Sequence, residues 1–181
     1  NAWMAPHDAR EDDADYWRVA FELVDELRAE LGDVRFFHIG MDEDSRRSPA
    51  AYVEAVRTLS DGLRARGLRP VMWNDAAQIA EKAVRWRAVQ EDIPRDVIQV
   101  LWDYHDAQFE AVAHLRRRGF DVWGAPGTDH LAQVVEWRRE LAALGGTGLV
   151  LTQWLPCTAP NRDVLLDAVR RVGALYFGTS Q

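Results

Sequence analysis

The chain has 181 residues, 48% of them hydrophobic, and sets 22 Lys and Arg against 29 Asp and Glu, for a formal charge of −7 and a pI near 5.2. That length suits one compact domain of the usual ~100–200 residues, the acidic balance argues against a nucleic-acid partner, and no apolar stretch reaches the ~18–20 residues of a membrane span. Cys157 is the only cysteine, which excludes an internal disulfide or a multi-cysteine metal knuckle and fits a reducing compartment. The chain opens at Asn1 with no charged-then-apolar leader, so the cytoplasm is slightly favoured and a piece of a longer protein is expected.

Trp17, Ala20, Phe21, Val24, Leu27 and Leu31 fall three and four apart, one apolar stripe of a helix that ends at Gly32. A short apolar run over 34–39 reads as a strand closed by Gly40. Tyr52, Ala55, Val56, Leu59 and Leu63 repeat the helical spacing, with Ser48-Pro49 as the start and Gly67 as the stop. Residues 70–73 read as a strand, 76 to about 90 as a helix, 97–102 as a strand and 107–118 as a helix closed by Gly119. A strand over 120–123, a helix over 130–144 stopped by Gly145-Gly146, a strand over 148–152 and a helix over 162–172 complete the series.

Five strands separated by helices, at intervals near the ~30 residues of a βαβ unit, predict a parallel sheet. An open doubly wound sheet of five strands is one candidate, but no strand is followed by a Gly-rich phosphate turn. The other is a (β/α)8 barrel, which needs ~250 residues, so that 1–181 is a single partial domain with about five of the eight βα units. In such a barrel the chemistry sits at the C-terminal ends of the strands and in the loops that follow. Those ends read His38-Ile39-Gly40-Met41-Asp42-Glu43, Trp73-Asn74-Asp75, Trp102-Asp103-Tyr104-His105-Asp106, Trp123-Gly124 and Gln153-Trp154.

Trp73, Trp102, Trp123 and Trp154 thus take the same station in four successive units. Rim packing explains any one of them; four suggest indole walls that stack on a sugar ring, with carboxylates between them for its hydroxyls. Asp42-Glu43 is either a solvated acidic turn or an acid pair in which mutual repulsion raises the proton affinity of one member, as proton donation to a leaving oxygen requires. Ordinary retaining glycosidases hold nucleophile and acid ~5–5.5 Å apart across the bond, a span that adjacent residues do not straddle easily. Adjacent acids suit a reaction whose nucleophile is the substrate's own 2-acetamido group, which narrows the substrate to N-acetylated hexosides.

Phe37-His38-Ile39-Gly40-Met41-Asp42-Glu43 resembles the His-x-Gly-x-Asp-Glu signature of family 20 glycoside hydrolases, the β-N-acetylhexosaminidases. Pro70-Val71-Met72-Trp73-Asn74-Asp75 and Leu101-Trp102-Asp103-Tyr104-His105 resemble the ends of the next two strands in one branch of that family. The resemblance covers roughly 15–154 and implies strands four to eight of the barrel. It implies Asp42 as the acetamido-orienting residue, Glu43 as the general acid/base and Trp154 as the floor under the sugar. Trp73 and Trp102 would wall the acetamido methyl, Tyr104 would bond its carbonyl, and Asp103 or Asp75 would hold hydroxyls. No metal or organic cofactor is implied. The family's first three strands have no counterpart here, nor does the arginine that grips the outer hydroxyls. A five-strand piece with two raw edges is therefore expected to need the rest of the barrel or to self-associate.

Other residues leave alternatives. Asp44 adds a third acid that Arg46-Arg47 would offset. His38 is either a buried, hydrogen-bonded structural histidine or a proton relay. A metal-dependent barrel hydrolase using His38, Asp42, Asp75, His105 and His130 is a further reading, without the His-x-His on an early strand usual in barrel amidohydrolases. A non-catalytic carbohydrate-binding remnant is another. Cys157 has no recognisable base partner and reads as a buried or half-buried thiol. Arg116-Arg117-Arg118 reads as a solvated helix end favourable to the dipole.

Overall fold

The computed structural model describes residues 14–44, 47–75, 89–104, 109–128 and 131–177. In chain order they form α1 (Ala14–Leu31), β1 (Phe36–His38), α2 (Pro49–Arg64), β2 (Arg69–Asn74), β3 (Ile98–Trp102), α3 (Glu110–Arg117), β4 (Val122–Ala125), α4 (Leu131–Leu144), β5 (Gly148–Leu149) and α5 (Arg162–Phe177). The helix expected over 76–90 lies outside the described residues except at its end. Ser48 caps α2 as expected: its Oγ accepts from the Ala51 amide at 3.2 Å, and Pro49 fills the first turn, where a missing N–H costs nothing.

All strand pairs are parallel, and the strands lie side by side in chain order, β1-β2-β3-β4-β5. A doubly wound sheet reverses its order at a switch point; this one does not. Strand alternation divides the sheet into two faces. Met72, Leu101 and Val122 pack outward in one core with Tyr52, Val53 and Val56 of α2, Val112 and Leu115 of α3, and Trp137 and Leu141 of α4. Val71, Ile98, Val100 and Ala125 form a second core with Trp73, Trp102, Trp123 and Val150, without any helix residue. Helices on one face and side chains alone on the other describe a barrel wall. The Phe36 and Trp123 rings meet at 5.4 Å although β1 and β4 are three strand spacings, ~14 Å, apart in a flat sheet. The sheet therefore curls into a partial TIM-type barrel. The open-sheet alternative is set aside.

Several boundaries differ from expectation. The fourth strand runs over Val122–Ala125, two residues later than expected, because Phe120 closes the preceding helix and is buried there. The last helix continues to Phe177. The fifth strand has only Gly148 and Leu149 in regular pairing, extended by Val150 N–H to Gly124 O at 2.8 Å and by a bridge between Gly127 and Thr152. On α1, Val24 is buried, but Leu27 and Leu31 of the expected core stripe are exposed with Val19 and Leu23. That row lies on the β1 end of the sheet, where no described element covers it.

At the opposite pole from the strand ends, Arg69 Nε donates to Asp96 O at 2.8 Å and its NH2 to Asp121 Oδ2 at 2.7 Å, while Arg116 NH1 donates to Asp121 Oδ1 at 2.6 Å. The Arg69 guanidinium, chiefly, holds the Asp121 carboxyl below the usual carboxylate range. Arg116 is thus tied to the sheet, and Arg118 pairs with Glu91, so two of the three arginines expected to be solvated are engaged. Among the described residues no helix is long and apolar enough to cross a membrane.

Candidate active site

After β1 the ladder continues for two residues, Ile39 N–H to Val71 O at 2.8 Å and Trp73 N–H to Gly40 O at 2.9 Å, and the chain then turns sharply. Gly40, Met41 and Glu43 have φ of 75°, 78° and 50°. The left-handed region costs a residue with a Cβ ~1–2 kcal/mol, so Met41 and Glu43 stay there only because their surroundings impose it. Four contacts do so. The Gly40 amide donates to His38 Nδ1 at 3.0 Å, and Tyr52, buried on α2, donates its hydroxyl to Met41 O at 3.1 Å. The Glu43 amide donates to Asp75 Oδ2 at 2.9 Å. Asp44 and Arg47 close the turn in an ion pair of 2.5 Å whose side chains are only 7–8% exposed, so Arg47 offsets the third acid. Arg46 is outside the described residues. Asp42 is half-buried and Glu43 exposed.

Asp75 sits just past the end of β2 and is 8% exposed; its Oδ1 accepts from Trp102 Nε1 at 3.0 Å. One carboxylate therefore joins the acid turn to an indole on β3. From Trp102 an aromatic chain runs outward, with Tyr104 at 5.5 Å between ring centroids and Trp154 at 6.5 Å and near edge-on to Tyr104. Trp154 is 76% exposed. The segment that carries it is fixed by Gln153, which donates to Thr128 Oγ1 and accepts from the Leu155 amide at 3.0 Å. On the other side of Asp75, Trp73 packs on His38 at 4.4 Å. Asp103 is buried.

Of the four tryptophans expected at one station, Trp123 differs. It is the second residue of β4 rather than its last, pairs with Val100 as Trp73 does, and lies on Phe36 and over Gly148 inside the wall. The later start of β4 moves it one inward-facing position deeper than Trp102, which pairs with Ala125.

His38 keeps more than a third of its surface open, on the β1 edge, yet its ring is crowded by Trp73. Removal of the ring from water lowers its pKa from 6.5 to about 4, so the ring is neutral at pH 7, with Nδ1 as the acceptor of the Gly40 bond. His105 and His130 of the metal reading lie outside the described residues, and among the described residues no group of three His, Cys, Asp or Glu is placed to hold a metal. Cys157 is exposed rather than buried, because its loop runs beyond β5 before any helix covers it.

Sequence reasoning placed Tyr52 on the core face of a helix and missed its hydroxyl contact with the acid turn. A lone hydroxyl on an apolar stripe facing a strand end is the signal that was there. Gln153 and Thr128 carried none.

No protein-family model and no curated protein matches the chain. Among solved structures, Dispersin B is similar at 18% identity and a TM-score of 0.61, over 94% of this chain and 60% of its own. A GH20 β-N-acetylhexosaminidase from Streptomyces coelicolor A3(2) is 18% identical with a TM-score of 0.49, over 64% of this chain and 22% of its own. The Streptomyces plicatus N-acetyl-β-hexosaminidase solved with thio-NAglucal is 18% identical with a TM-score of 0.48, over 64% and 21%. The likeness to Dispersin B establishes the fold. The chain spans 60% of that protein's length.

Proposed function

We propose that this domain is the acid-bearing part, strands four to eight, of the barrel of a retaining β-N-acetylhexosaminidase that uses its substrate's own amide. The observation that carries the reading is the Asp42-Glu43 turn, held in left-handed conformation at a strand end and joined through Asp75 to the indole of Trp102. Strain of this kind collects where a fixed geometry is used. The barrel likeness to Dispersin B supports the fold on which this reading is built.

In this mechanism the terminal sugar lies between Trp73, Trp102 and Trp154. Asp42 holds the acetamido N–H, so that the carbonyl oxygen attacks C1. Glu43 gives its proton to the departing glycosidic oxygen as the C1–O bond breaks and an oxazolinium forms. Glu43 then takes a proton from water, which attacks C1, reopens the ring and releases the sugar with its β configuration. Tyr104 bonds the acetamido carbonyl, and Asp103 and His38 border the sugar's hydroxyls. The chemistry calls for no metal or organic cofactor. The two open sheet edges and the exposed row on α1 are the surfaces that the rest of the barrel, or a second copy, would cover.

The test is turnover of 4-nitrophenyl N-acetyl-β-glucosaminide by the complete encoded polypeptide, beside the matching β-glucoside. Hydrolysis of the first alone, with kcat lowered ~10²–10⁴-fold by Glu43→Gln, is expected. Equal rates on both glycosides, or a fully active Glu43→Gln, overturns the proposal. Inert wild type and variant that still bind the sugar would show a carbohydrate-binding remnant instead.

A further inference from the structure

We infer that Asp75 is a positioning residue: its carboxylate sets the backbone of the acid turn and the plane of the Trp102 indole together, and does not hold substrate hydroxyls. The inference rests on Glu43 being the acid/base. Asp75 follows β2, the strand between β1 and β3, and so stands within reach of both the turn after β1 and the wall on β3. One oxygen accepts from the Glu43 amide at 2.9 Å and the other from Trp102 Nε1 at 3.0 Å. Hydrogen bonds to a carboxylate are about twice as strong as neutral ones. The first of these bonds ties down a residue whose φ is 50°. Released from it, Glu43 gains a route back to ordinary backbone geometry, and its side chain moves relative to the wall. With the second bond gone, Trp102 loses a hydrogen bond that orients its ring about the Cβ–Cγ axis. Burial of Asp75, with both oxygens engaged on the protein, distinguishes it from a side chain presented to a ligand.

Asp75→Asn tests this in the complete polypeptide. An amide keeps one acceptor and turns its NH₂ toward the other N–H donor, so one of the two bonds is lost. A catalytic group displaced by ~1 Å costs up to ~10²-fold. The expected result is a 10- to 100-fold loss of kcat with KM within about threefold, and a displaced Trp102 indole N–H resonance, which Trp102→Phe assigns by its disappearance. If Asp75→Asn does not fold, Asp75→Glu, which keeps both acceptor oxygens on a stem one methylene longer, must still lower kcat with KM within about threefold and displace the Trp102 indole resonance. A raised KM at unchanged kcat identifies a hydroxyl contact and overturns the inference, as does an unmoved indole resonance. If Glu43→Gln is as active as wild type, the glycosidase reading falls, and the indole resonance still decides whether Asp75 clamps the wall.

Discussion

Tyr52→Phe removes one oxygen and tests how the acid turn is held. The ring is 5% exposed and sits among Val53, Val56 and Met72, so phenylalanine fills the same space without a cavity. What is lost is the hydroxyl's donation to Met41 O at 3.1 Å. A neutral hydrogen bond contributes ~0.5–1.5 kcal/mol net, and a half-buried carbonyl left short of a partner adds to the cost, for ~1–2 kcal/mol in all. In a chain of this size that lowers Tm by ~2–8 °C. Met41 is also released toward ordinary φ, which moves the acids, so kcat should fall with little change in KM. Urea unfolding followed by circular dichroism, at unchanged m, measures the first effect, and steady-state kinetics the second. A stability change under ~0.3 kcal/mol with full activity refutes the hydroxyl as an anchor, and a loss above ~3 kcal/mol shows that the ring itself had to move.

Three further outcomes follow from the same geometry. A Cβ on Gly124 would stand 2.4 Å from the Trp137 ring and 2.7 Å from Leu141, so Gly124→Ala should destabilise by ~1–3 kcal/mol; unchanged urea unfolding would show that α4 does not press on β4 there. His38 titrates near 4 when folded and near 6.5 when unfolded, so the unfolded chain takes up the proton first. Its contribution leaves stability untouched above about pH 7 and erodes it as pH falls from about 6.5 to about 4. His38→Gln should remove that part of the slope of the urea midpoint against pH, and an identical slope contradicts the assignment. Trp154→Ala should leave stability within ~0.5 kcal/mol, since the side chain is 76% exposed, yet weaken N-acetylglucosamine binding ~10-fold by calorimetry. Lost stability with unchanged binding would make Trp154 rim packing.

The alternation of apolar runs and helical stripes made the sheet legible, because the central strands are mostly hydrophobic, with Gln99 and Asn74 as buried exceptions, and helices cover them with apolar stripes. Curl was not legible in the residues: it emerges from α2, α3 and α4 packing on one face, from the other face holding no described helix residue, and from Phe36 meeting Trp123. Trp123 was misplaced because Phe120 has the composition of a strand residue but serves to close α3. Leu27 and Leu31 were expected inside because the helical period gives the face and not what stands against it. That Asp42-Glu43, Trp73 and Trp102 stand at or just past strand ends could be read from the sequence; that they act on a sugar is the proposal. The contacts of Asp75 and Tyr52 with the turn could not be specified, because each reaches a backbone atom across the fold, and the lone hydroxyl on the α2 stripe gave only its direction.

The most direct measurement is kcat/KM across 4-nitrophenyl β-glucosaminides whose N-acyl group is acetyl, fluoroacetyl, difluoroacetyl and trifluoroacetyl. Each fluorine withdraws electrons from the carbonyl oxygen that is assigned as nucleophile. If that oxygen attacks C1, the rate constant falls steeply and monotonically along the series. A flat series would mean that something other than the substrate's amide performs the displacement.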